Sequence, residues 1–200
     1  MAGMNDFLAR TQEGAAALRR AVTIKTRPQL LASVREEPVV GAGVLAAAIG
    51  QVEKARTLTR PSALGVAAVT ASHATYAWSL YRRGARNDAL GWGLRAAVWG
   101  AGVAATRKEP TAAAVAVGGA AVLTTSAVAG DPALRTDAGK GISHGANLLV
   151  AAEGLTALRA ALAQHYRGKW KQGARLVGAA EAGALAVGHL LLLDGLRRTR

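Results

Sequence analysis

The chain contains no cysteine. Disulfides, cysteine-ligated zinc and thiol nucleophiles are therefore excluded. Aromatic residues are scarce, 4% of the composition with a single phenylalanine. A water-soluble domain of this length normally fills its core with large branched and aromatic side chains, and this chain has few. Acidic residues are also sparse, with 12 Asp+Glu against 25 Lys+Arg. Such an excess points to an anionic partner, either nucleic acid or lipid. No basic helix or tail with interleaved aromatics is present, so the footprint of a nucleic-acid binder is missing and lipid is the favoured partner. Period-two alternation is absent, which argues against strands. No heptad persists, which argues against a coiled coil.

What is present is small and apolar. Hydrophobic residues reach 51%, mostly Ala, Leu and Val, alongside 24 Gly. Helices use Ala and Gly where backbones approach closely inside a membrane. The sequence therefore predicts an all-α fold, a polytopic transmembrane helix bundle of about six spans with an N-terminal amphipathic segment. Residues 1–27 form that polar, interfacial segment, 28–196 the transmembrane domain and 197–200 a basic tail. The apolar runs are Val39 to Val52, Ser62 to Tyr81, Ala89 to Thr106, Thr111 to Ala129, Ile142 to Leu162 and Ala174 to Leu196. The first is short for a span, and Thr111 to Ala129, opened by Pro110, is the cleanest. Gly130-Asp131-Pro132 reads as a turn.

The opening MAGMNDFLARTQEG is too polar for a signal-peptide core, so insertion is expected to use internal helices. Basic residues cluster between the runs. With six spans, one side carries 14 Lys/Arg and the other 9, which places both termini in the cytoplasm of a multi-pass cell-membrane protein.

Several motifs bear on chemistry. Gly141-Ile142-Ser143-His144-Gly145 matches the G-x-S-x-G nucleophile pattern, but that motif needs a strand before it, and here a polar turn precedes. The same glycines are spaced G-x-x-x-G, which marks close helix packing. His73, His144 and His189 lie on three apolar runs, without the ligand spacing of a metal site. Neither a metal nor another cofactor is expected. Ionisable residues inside the runs are the sharper signal: Arg95, Glu153, Arg159 and Glu181 are costly in lipid unless they face a polar interior. Glu153 and Arg159 are spaced i, i+6, so pairing between them on one helix face is excluded and partners are expected on other helices. Glu153 and Glu181 sit deepest and are the better functional candidates.

The order of segments resembles the YhhN-type lysoplasmalogenase-like membrane proteins. Thr26-Arg27-Pro28 stands where that family has T-K-P, and Ile49-Gly50-Gln51 where its first apolar helix ends in Gly-Asp. Gly65 through Ser72-His73-Ala74-Thr75-Tyr76 matches its G-x-x-x-x-x-x-x-H-x-x-Y helix. Gly145 through Glu153 resembles a diverged copy of its Gly-Ala-Leu-Phe-x-x-Ser-Asp segment, and the resemblance spans roughly residues 25–196. It implies hydrolysis of enol-ether or ether lysolipids. The family's two membrane aspartates correspond to Gln51 and Glu153, so one carboxylate is replaced.

Enol-ether hydrolysis needs an acid to protonate the alkene carbon and water to attack the oxocarbenium-like centre. The resemblance makes Glu153 the acid, with Gln51 and His73 positioning water and Glu181 or His73 replacing the lost base. Tyr76, Arg27, Lys25 and Arg95 are the expected substrate-binding residues. Two alternatives stand beside this reading: a catalytically degenerate relative that binds a lipid or a membrane partner, and a small transporter. Membrane lipid or lysolipid is the expected partner, and a homo-oligomer is a further expectation.

Overall fold

The computed structural model describes residues 35–57, 60–86, 89–165 and 170–199. Lys25, Arg27 and the expected interfacial segment 1–27 lie outside them. Among the described residues the protein is all-helical, without strands. The elements are α1 (Pro38–Arg56), α2 (Ala63–Arg82), α3 (Ala89–Thr106), a π-helical stretch (Ala114–Gly118) running into α4 (Gly119–Ala129), α5 (Ile142–His165) and α6 (Trp170–Arg198). A single 3₁₀ turn, Pro132–Leu134, precedes α5.

Local sequence explains the boundaries. Pro38 opens α1, where a missing N–H costs nothing. The helix runs past the expected end at Val52 because Glu53-Lys54-Ala55-Arg56 contains no breaker. Ser62 caps α2, its hydroxyl accepting from the Gly65 amide at 3.0 Å. The same hydroxyl donates to Glu53 Oε2 at 2.6 Å, tying the start of α2 to the end of α1. Asp131 accepts from the Ala133 amide in the turn that the sequence predicted. Gly141, with φ of 96°, takes the left-handed conformation that turns the chain into α5.

Glycine sets the helix packing. Gly145 of α5 lies against Gly188 of α6, where an added Cβ would stand 2.7 Å from the Gly188 carbonyl oxygen. Further along the same pair, Gly178 lies beside Arg159, so α5 and α6 run antiparallel. On α1, Gly43 faces Thr75 and Gly50 faces Val69, which makes α1 and α2 a second antiparallel pair. Packing of α2 on α4 and of α4 on α5 joins the two pairs. The buried core includes Tyr76, Leu80, Val122, Leu149 and Leu192.

One end of the bundle is laced by polar contacts. Arg83 binds Glu37 and donates to the Leu196 carbonyl at 3.1 Å. The Arg86 amide donates to Asp131 at 2.6 Å. Arg198 donates to the carbonyls of Asp137 and Lys140.

Among the described residues, Leu176–Arg198 within α6 is the one helical stretch long and apolar enough to cross a membrane. The run expected to be the cleanest span is apolar but shorter as a helix, Ala114–Ala129. The segment around Pro110 is taken up in turns, so fewer residues are helical than the apolar run contains. The remaining helices carry polar and ionisable groups that lower their hydropathy.

Candidate functional site

Two adjoining cavities lie in the bundle, the smaller among α1, α2, α5 and α6 and the larger among α1 to α5. The smaller is lined by Ala47, Gln51, Val69, Ser72, His73, Leu149, Glu153, Leu185 and His189. At about 10 Å³ it holds one water-sized sphere. Gln51, His73 and Glu153 come from three different helices, and the bundle brings them to one chamber.

The ring orientation of both histidines follows from their partners. His189 Nδ1 lies 2.9 Å from the Leu185 carbonyl oxygen. A carbonyl only accepts, so Nδ1 carries the hydrogen and the neutral ring keeps a lone pair on Nε2. Among the described residues that Nε2 is buried without a hydrogen-bond partner, as is Ser72 Oγ. His73 Nδ1 lies 3.1 Å from Thr125 Oγ1. The Thr125 hydroxyl has backbone carbonyls at 3.0 Å (His73) and 3.2 Å (Ala121) to receive its one hydrogen. It therefore accepts from His73 Nδ1, and both imidazoles carry their hydrogen on Nδ1. Tyr76 is fully buried between them, edge-on to each ring, at 5.9 Å from His73 and 6.0 Å from His189.

The larger cavity, of about 380 Å³, opens beside the first and is predominantly apolar. Val66, Val69, Val98, Trp99, Val115 and Val122 form much of its wall. The π-helical stretch contributes to this wall, and its Ala116 carbonyl accepts from Trp99 Nε1 at 3.0 Å. Glu153 and Val69 line both cavities, so the carboxylate stands where the apolar and polar spaces meet. There it is ion-paired with Lys54, which lines the larger cavity near the α1–α2 turn.

The other sequence candidates fall elsewhere. Glu181 is buried, but on the α5–α6 seam, where it pairs with Arg159 at 3.1 Å and accepts from Thr156 at 2.8 Å. Arg95 donates to Ser126 Oγ at 2.9 Å, and Ser126 donates to Asn147 Oδ1 at 2.6 Å. This chain of bonds joins α3, α4 and α5 and lines neither cavity. His144 is exposed, away from the other two histidines. Among the described residues no group of three or more His, Cys, Asp or Glu is placed to hold a metal.

Lys54 escapes notice in the sequence because it falls among the cations between apolar runs. It lies at i+3 from Gln51, and continuing α1 to the first breaker, Pro61, would have placed both on one helix face. No protein-family model, curated protein or solved structure matches the chain.

Proposed function

We propose that the protein is a multi-pass membrane hydrolase, resembling the YhhN-type lysoplasmalogenase-like proteins, that takes a single-chain enol-ether lysolipid into its apolar cavity. The observation that carries this reading is the position of Glu153, shared between an apolar cavity and a water-sized polar one.

Embedding of the whole bundle is supported by how polarity is distributed. Leu45, Leu64, Leu94, Val117 and Leu176 are exposed on the outside. The interior holds Lys54–Glu153, Arg159–Glu181 and the His73–Thr125 bond. A mainly apolar core suits either solvent, and it is the sheltered ion pairs together with the large apolar side chains outside that favour lipid. Five of the six helices, α4 excepted, have 18 to 29 residues and supply the length, at about 1.5 Å per residue. The excess of Lys/Arg on the N-terminal side favours cytoplasmic termini.

The chemistry uses residues of both cavities. The alkenyl chain occupies the apolar space, with its ether oxygen and double bond at Glu153. Protonated Glu153 gives its hydrogen to the outer alkene carbon, leaving an oxocarbenium-like centre on the carbon bonded to oxygen. A water held by Gln51 and Ser72 attacks that carbon, and His189 Nε2 takes the proton released. The hemiacetal collapses to an aldehyde and the glycerol alcohol. The proton from His189 replaces the one Glu153 gave, so one water is consumed. Gln51 orients the water without accepting a proton, which leaves the base role to His189.

The test is aldehyde release from purified protein supplied with lysoplasmalogen. Glu153→Gln and His189→Gln are each expected to lower turnover about 100-fold or more. Unchanged turnover in either variant overturns its role. Absence of turnover in the wild type, with lysolipid still bound in the cavity, would favour the non-catalytic lipid binder.

A further inference from the structure

We propose that Lys54 selects phosphate-bearing lysolipids and couples their binding to the readiness of Glu153, an inference that rests on the lipid-binding reading of the two cavities. Three observations carry it. Lys54 comes from the last turn of α1 and lines the large cavity together with Thr57, Pro61 and Ser62. Its ammonium is paired with Glu153 across 99 residues of sequence. Both side chains are largely sheltered, with 15% of Lys54 and 25% of Glu153 exposed.

The pair conflicts with acid catalysis as it stands. A carboxylate held by an ammonium has no proton to give. An incoming lysolipid resolves this if its headgroup carries a phosphate. The phosphate offers the ammonium a competing anionic partner. Lys54 has a long flexible stem and a point-like charge, so it can turn from Glu153 to a phosphate near the α1–α2 turn. Glu153 then stays beside the apolar wall without its partner, and an unpaired charge is disfavoured there. The carboxylate takes up a proton from water and is armed as the donor. No bond other than this proton transfer changes in the step. A lipid lacking phosphate fills the same cavity but leaves the ion pair closed.

This makes Lys54 a positioning and specificity residue. The experiment uses the full chain in detergent micelles with four lipids. Two are hydrolysable, a 1-alkenyl-glycerophosphocholine and a 1-alkenylglycerol. Two are inert alkyl ethers with the same two headgroups, whose binding is read by native mass spectrometry. In wild type, the phosphate-bearing ether is expected to bind about tenfold more tightly than the alkylglycerol. Lys54→Met is expected to bind both equally, at the wild-type alkylglycerol affinity, which also reports an intact cavity. Lys54→Arg, which retains the charge, is expected to keep most of the preference.

In turnover, Lys54→Met is expected to raise KM for the phosphate-bearing substrate about tenfold. It is also expected to raise kcat on alkenylglycerol, because Glu153 is no longer held. A headgroup preference that survives in Lys54→Met overturns the proposal. So does a variant that loses affinity for both ethers alike. If no alkenyl lipid is hydrolysed but the binding preference exists and disappears in Lys54→Met, the hydrolase reading fails while the headgroup selection stands. Hydrolysis without any headgroup preference overturns selection by Lys54 and leaves the hydrolase reading standing.

Discussion

At the residue scale, the interior ionisable groups divide by what holds them. Glu153 has one flexible ammonium and faces two cavities. Glu181 has a guanidinium and a hydroxyl and lines neither cavity. The sequence offered both as candidates because both are carboxyls deep in apolar runs. Their depth was legible, but their partners were not, since Lys54 lies 99 positions away from Glu153. The division has a measurable consequence. Removing one partner of a buried pair leaves the other charge uncompensated, at a cost of about 3 kcal/mol or more. Glu181→Ala is therefore expected to lower unfolding stability in detergent by about that amount. The Arg159→Glu/Glu181→Arg double variant is expected to recover part of the loss, which denaturant titration of the three proteins checks.

At the element scale, the bundle is held by close approach of backbones as much as by large side chains. The α5–α6 seam shows it most clearly. Only one of the two glycines in the G-x-x-x-G spacing of Gly141 and Gly145 serves the helix packing that the spacing suggests. Gly141 sits in the turn and Gly145 in the contact. Two glycines of α6 separate packing from propensity. A Cβ on Gly188 would meet Leu149 Cδ2 at 2.8 Å and the Gly145 carbonyl oxygen at 3.0 Å, whereas one on Gly183 meets nothing within 4 Å. Gly188→Ala is expected to destabilise by about 1–3 kcal/mol through overpacking. Gly183→Ala is expected to be neutral or stabilising by up to about 1 kcal/mol, because alanine is the better helix former. Thermal unfolding of the two variants side by side checks the contrast, and equal effects would show that the seam is not tight at Gly188.

At the scale of the whole molecule, large apolar side chains stand exposed on the outside of a bundle whose core is itself mainly apolar. Leu94 on α3 and Val117 on the π-helical stretch show it, 64% and 51% exposed, while Arg95 beside Leu94 turns to Ser126. In lipid those two side chains are in their preferred solvent, and charges there cost about 2.5–3.5 kcal/mol each. Leu94→Glu/Val117→Glu is therefore expected to shift much of the protein out of the alkaline-washed membrane fraction, in which the wild type is expected to stay. Equal partitioning of the two would contradict a lipid-facing outer surface.

The sequence alone determined the helical class, the approximate helix positions and four of the costly ionisable residues, Arg95, Glu153, Arg159 and Glu181, but not Lys54. Those properties depend on local composition: alanine and glycine density, proline and turn placement, and charges interrupting apolar runs. It also put Gln51, His73 and Glu153 forward together, although through a resemblance. Only the tertiary structure decided that these three share a chamber with His189, that Lys54 closes on Glu153, and that Glu181 and Arg95 serve other contacts. Partnership between side chains on different helices depends on how each helix is rotated and which neighbour it meets. Small-residue seams set that rotation through contacts between distant parts of the chain, and no local pattern encodes it.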